Sequence, residues 1–220
     1  MDFKAISTTD IRELLTFFQA VTAIFATIYY NKYKATNLKY IVLLLWYIAI
    51  NEYVGKYYTL YTGCYNQGFY NVKQIVEITF YIKLYINTLK NVKSKNLLVC
   101  LLICYYLSII SSCFRASFIA EYFVNNYLLG ASFIVIGIIM YFSEILKSDD
   151  IILINKKLLF WISVGLLIYY VPTIPFKVVT VYYQNSPTLP YIFNISYALV
   201  FLLNSLFISG FIWSSKQQTD

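Results

Sequence analysis

The segment from Tyr70 to Lys90, YNVKQIVEITFYIKLYINTLK, is long enough to cross a bilayer yet carries Lys73, Glu77 and Lys83. At 100° per residue, Lys73, Gln74, Glu77, Tyr81, Tyr85 and Thr88 fall along one face of a helix, with Ile75, Ile82, Ile86 and Leu89 on another. A charged side chain at bilayer depth costs at least about 2.5 to 3.5 kcal/mol on insertion scales. The stripe is therefore expected to turn away from lipid, toward other helices or a wet cavity, with the remaining helices wrapped around it.

The rest of the chain is suited to that task. Of 220 residues, 60% are hydrophobic and 12% charged, against roughly 25% charged in an ordinary soluble domain, and the mean hydropathy is +0.64. Apolar segments of spanning length recur with loops too short to fold separately, so residues 1–220 are expected to form one all-α, polytopic membrane domain with seven transmembrane helices. The spans are read near Ile11–Tyr30, Lys39–Tyr58, Tyr70–Lys90, Asn96–Phe114, Tyr122–Leu146, from Leu158, and Leu189–Ser214. Ser7, Thr8 or Asp10 is placed to cap the first. The opening residues hold no short apolar core with a small-residue cleavage site, so the first span is expected to be its own targeting signal.

Local chemistry adds detail. Cys100, Cys104, Ser108 and Ser112, spaced by four, form a small-residue seam on the fourth span, matched by Asn126, Gly130, Gly137, Tyr141 and Glu144 on the fifth. Pro172 and Pro175 remove two backbone donors within one turn, so the sixth helix is expected to kink or end there. Basic residues set the orientation. The loops after spans 1, 3 and 5, with the C-terminus, carry Lys32, Lys34, Lys39, Lys90, Lys93, Lys95, Lys147, Lys156, Lys157 and Lys216; the opposite side carries Lys4, Arg12, Lys56, Arg115 and Lys177. This bias puts the N-terminus outside and the C-terminus in the cytoplasm, in a plasma (inner) membrane.

Glu77 is the leading functional candidate. Alone at that depth it would accept a proton or a ligand; paired with Lys73 it would stay charged as a clamp. Asn51, Glu52, Lys73, Glu77 and Tyr81 are grouped as an outward ligand or proton pocket, and the bland alternative is that Glu52 and Lys56 only mark the membrane interface. Cys64 and Cys113 lie on the expected oxidising side, where a disulfide is open to them. The chain has no histidine, which removes Ser/His and Cys/His nucleophile systems and HExxH zinc chemistry. No cofactor or metal pattern is read, and no enzyme. The net charge of +7 is distributed as topology signal, not as a nucleic-acid surface.

Two familiar seven-span families fit poorly. A microbial rhodopsin needs a retinal lysine in its last span, and Leu189–Ser214 has none; PQ-loop and SWEET transporters would show matching three-helix repeats with prolines in both, whereas all four prolines here follow residue 170. Asn51-Glu52-x-x-Gly55, VEITFY in span 3 and KKLLFWISVGLLIYYVPTIPF into span 6 resemble small, uncharacterised seven-helix membrane proteins of AT-rich, Bacteroidetes-like bacteria. That resemblance implies no established activity; the placing of such proteins beside signalling kinases leans slightly toward a sensory role. The expectation is a receptor or sensor acting through a separate membrane or cytoplasmic partner. The alternatives are a small-solute or proton transporter or channel, and a structural subunit of a membrane complex.

Overall fold

The computed structural model describes residues 8–147, 149–182 and 189–216, and among them the chain is helix and loop with no strand. Ser7 and Lys4, and the side chains of Thr8, Asp10 and Arg12, lie outside the described part. Seven α-helices follow in order: α1 Thr8–Ile28, α2 Ile41–Thr62, α3 Gln67–Thr88, α4 Val92–Cys113, α5 Val124–Ile145, α6 Leu158–Tyr182 and α7 Leu189–Trp213. Short 3-10 turns precede α2 at Tyr30–Lys32 and Asn37–Tyr40, and another precedes α6 at Asp149–Lys156.

Helix ends follow local chemistry. α2 runs past Tyr58 to Thr62, where Gly63, at φ 66°, takes the left-handed position and returns its N–H to the Thr59 carbonyl at 2.9 Å. α4 starts at the Asn91 cap, whose side chain accepts from Lys93 N. Of the two outcomes expected at the prolines, α6 does not take the terminus: it continues as helix past Pro172 and Pro175 to Tyr182. Each proline removes one donor, and the flanking residues keep the turn, with the Thr173 hydroxyl donating to the Tyr169 carbonyl at 2.5 Å. Lys177, expected in an outer loop, is thereby a helical residue.

The segments Asn37–Thr62, Val92–Cys113, Val124–Ile145, Leu158–Val181 and Tyr191–Trp213 are long and apolar enough to cross a membrane. In α1 only Glu13–Ile28 is comparably apolar, and α3 falls short because it carries Lys73, Glu77 and Lys83. The outer surface carries large apolar side chains on many helices, among them Leu43, Ile50, Ile103, Leu107, Ile110, Ile139 and Leu202, far more than a water-facing surface tolerates.

Six helices close a ring in the order α1, α2, α3, α5, α6, α7, with α7 returning to α1. α4 sits outside it, packed on α3 and α5. α3 is therefore a wall of the ring rather than an axle wrapped by the rest, with Val72, Val76 and Lys83 exposed on its outer side. The stripe needs only one sheltered face, and a ring supplies it. Lys83 lies in the last turns of α3, where a long stem lets an ammonium reach the interface.

The seam on α4 divides. Ser112 donates to Asn126 Oδ1 at 2.7 Å and Asn126 Nδ2 to Ser108 Oγ at 2.9 Å, joining α4 to α5, while Cys100 and Cys104 are exposed. Each step of four residues advances about 40° around the helix, so a row straight in sequence winds off the contact face. Gly130 lets α5 lie against Ile78 and Tyr105, and Gly137 against Tyr85.

One end of the bundle is stitched by hydrogen bonds between its loops. Lys32 Nζ donates to the carbonyls of Phe211 (3.0 Å), Ile212 (2.7 Å) and Ser214 (2.9 Å), capping α7. Partial burial draws the Lys32 pKa below the usual lysine value. Ser215 N meets the Lys156 carbonyl, and Glu144 accepts from Lys90 N and Asn91 N at the α3–α4 turn. Gly210 packs directly beneath Trp161 at this end.

Candidate functional site

The opposite end, between the α2–α3 and α4–α5 loops, is organised by Asn71. Its Nδ2 donates to the carbonyls of Phe118 (2.8 Å) and Glu121 (2.7 Å), and its Oδ1 accepts from Phe123 N (2.9 Å). With Gly68 N bonded to the Ile119 carbonyl, the α4–α5 loop is fastened to the first turn of α3. This geometry also separates the cysteines. Phe118–Ile119, not the end of α4, meets the start of α3, so Cys64 and Cys113 are both exposed free thiols and the disulfide open to them is not formed.

Inside this end lies a cavity of about 470 Å³, within the size range of small-molecule sites. Six helices contribute: Gln19 from α1; Leu45, Ile48 and Glu52 from α2; Gln67, Tyr70, Lys73, Gln74, Glu77 and Tyr81 from α3; Tyr127 from α5, beside Tyr122 of the loop; Tyr169, Tyr170 and Lys177 from α6; Val200, Leu203, Asn204 and Phe207 from α7. The spacing of 70, 73, 74, 77 and 81 on α3 follows the helical period, and that is why a single stripe reaches the cavity at several levels.

Glu52, Lys73, Glu77 and Tyr81 are brought together here, while Asn51 is buried without lining the cavity. Lys73 forms its ion pair with Glu52 of the neighbouring helix. Glu77 is instead a hydrogen-bond acceptor, taking the Tyr170 hydroxyl at 3.2 Å. The preference has a geometric cause: Lys73 and Glu77 stand one above the other on α3, whereas α2 runs antiparallel beside it and presents Glu52 at the level of Lys73.

Two amide oxygens of cavity residues, Gln19 Oε1 and Gln74 Oε1, are buried without a hydrogen-bond partner among the described residues. Buried polar atoms normally find a partner, and an orphan acceptor beside a cavity calls for a donor there. Lys177 stands at the loop end over the rings of Tyr122 and Tyr127, with Nζ 5.5 Å and 5.9 Å from their centroids. At the inner end the cavity stops at Tyr81 and Phe207; beyond them Tyr85, fully buried, hydrogen-bonds Ser163 at 2.9 Å across the bundle.

The tyrosine cluster and Lys177 are the functional candidates that sequence reasoning missed. A signal existed: Tyr170, Thr173 and Lys177 repeat at helical spacing through the prolines. Among the described residues no cluster of His, Cys, Asp and Glu is arranged to hold a metal ion.

Comparison of the chain with protein-family models, with curated proteins and with solved structures finds no match in any of the three.

Proposed function

We propose that the chain is a receptor- or sensor-type membrane protein in which all seven helices span, binding a small polar ligand or a proton in its one-ended cavity. In this reading the N-terminus and the cavity mouth face outward and the lysine-bearing stitched end faces the cytoplasm, in agreement with the basic-residue bias. Removing Lys177 from the outer set, because it lines the cavity, strengthens that bias.

The observation that carries the proposal is the asymmetry of the ring. Glu52, Lys73, Glu77, Lys177 and the unpartnered Gln19 and Gln74 oxygens gather in the cavity at one end, and hydrogen bonds between loops and helix ends fasten the other. A ligand settling among residues from six helices changes their relative positions, and the stitched end is where a membrane or cytoplasmic partner would sense the change. Co-purification in mild detergent followed by mass spectrometry tests this. A stoichiometric protein partner supports the proposal; a chain that purifies alone and moves solute in proteoliposomes overturns it.

One observation favours the carrier as second reading. Pro172 and Pro175 lie between the cavity residues Tyr170 and Lys177, so α6 lacks two backbone hydrogen bonds where alternating access would require bending.

A further inference from the structure

The cavity's charges suggest what enters it. Lys73 and Glu52 neutralise one another across α2 and α3. Glu77 and Lys177 also line the cavity, and neither forms an ion pair among the described residues. One carboxyl and one ammonium thus face a common space of about 470 Å³ without an ion-pair partner among the described residues.

Their positions along α6 separate them. Tyr170, which donates to Glu77, and Lys177 are seven residues apart on one helix, a rise of about 10 Å. Glu77 marks the inner level and Lys177 the loop-end level, with the rings of Tyr122 and Tyr127 beside the lysine. A ligand of one charge meets only one of the two residues, whereas a ligand carrying both signs meets each with the opposite charge. Gln74, 3% exposed and with its Oε1 unpartnered, adds an acceptor to the same cavity and favours a ligand end that bears N–H donors.

We propose that the cavity binds an elongated zwitterion, with its ammonium at Glu77 and its carboxylate or phosphate at Lys177. An α-amino acid holds its two charges too close together to reach both levels; an ω-amino acid, a short peptide or a phosphoethanolamine headgroup spans them. The inference rests on the ligand-binding reading above and narrows it to a chemical class.

The test uses the full chain in detergent and three probes of equal length: 6-aminohexanoate, hexylamine and hexanoate. Calorimetric titration is expected to show 6-aminohexanoate binding at least about tenfold more tightly than either singly charged probe. Lys177→Gln is expected to abolish the advantage over hexylamine and Lys177→Arg to retain it, while Glu77→Gln abolishes the advantage over hexanoate. Equal affinities for the three probes, or no binding of any, overturn the proposal.

Thiol labelling separates that failure from failure of the binding reading. In a background with all four cysteines replaced by serine, Asn204→Cys tests whether a water-soluble reagent enters the cavity. Labelling without probe binding refutes the zwitterion and leaves the cavity reading standing; absence of labelling refutes both. Native mass spectrometry distinguishes the source. A zwitterionic lipid carried through purification and displaced by 6-aminohexanoate identifies a headgroup, and an empty chain that takes up the probe identifies a free solute.

Discussion

The two ends of the bundle use polar groups in opposite ways. At the stitched end, the Lys32 ammonium, the Glu144 carboxylate and the Lys156 carbonyl each meet backbone groups of other elements, and so hold helix termini in place. At the cavity end, Glu52 and Lys73 hold one another, but Glu77, Lys177, Gln19 and Gln74 retain capacity that the described residues do not fill. A polar group satisfied within the fold stabilises it; one left short of partners inside a cavity costs stability and is available to a ligand. The stitched end is a fastening and the cavity end a receptacle.

The largest expected effect comes from breaking the one fastening inside the receptacle. Lys73→Met removes the ion pair with Glu52 in a partly buried setting and is expected to destabilise by about 3 kcal/mol. Thermal melting in detergent reads the loss, and adding Glu52→Gln should recover part of it. A double variant no more stable than Lys73→Met would mean that the pair is not what holds α2 to α3.

Packing at the stitched end comes next. A Cβ at Gly210 would lie 2.6 Å from the Trp161 Cβ, so Gly210→Val is expected to cost about 2 kcal/mol and to leave probe affinity within about twofold. A comparable loss of affinity would show that the two ends are mechanically coupled. Lys32→Met removes three charge-assisted bonds to the α7 terminus, and about 1.5 kcal/mol is expected in the same melt. No change would reduce the Lys32 cap to a surface contact.

The smallest effect on stability belongs to the leading functional candidate. Glu77→Gln keeps an oxygen acceptor for Tyr170, and its melting point should move by less than about 1 kcal/mol equivalent. Its ligand response should be lost. A large destabilisation with an unchanged response would place Glu77 among the fastenings and erase the contrast between the ends.

Much of this architecture is legible in local pattern. The period of α3 places Lys73, Gln74, Glu77 and Tyr81 on one face, and the four residues do share the cavity. Other features depend on contacts that no local pattern encodes. Asn71 is an ordinary asparagine near a helix start, and its role appears only when the α4–α5 loop lies against it. The cysteines of α4 fit a packing seam by spacing, but helical drift carries them to the outside. The prolines of α6 suggest a terminus if weighed by backbone donors alone, while the surrounding bundle keeps the segment helical and brings Lys177 inside.

That the chain is a set of apolar helices, and that the charged stripe of α3 turns away from lipid, follows from local pattern, since hydropathy and the 3.6-residue period are properties of one segment at a time. That Lys73 pairs with Glu52 while Glu77 accepts from Tyr170, and that Lys177 faces the same cavity, comes from the packing of the helices. Those choices depend on how separate helices are rotated and set in register against one another, and that information exists only once the ring has closed.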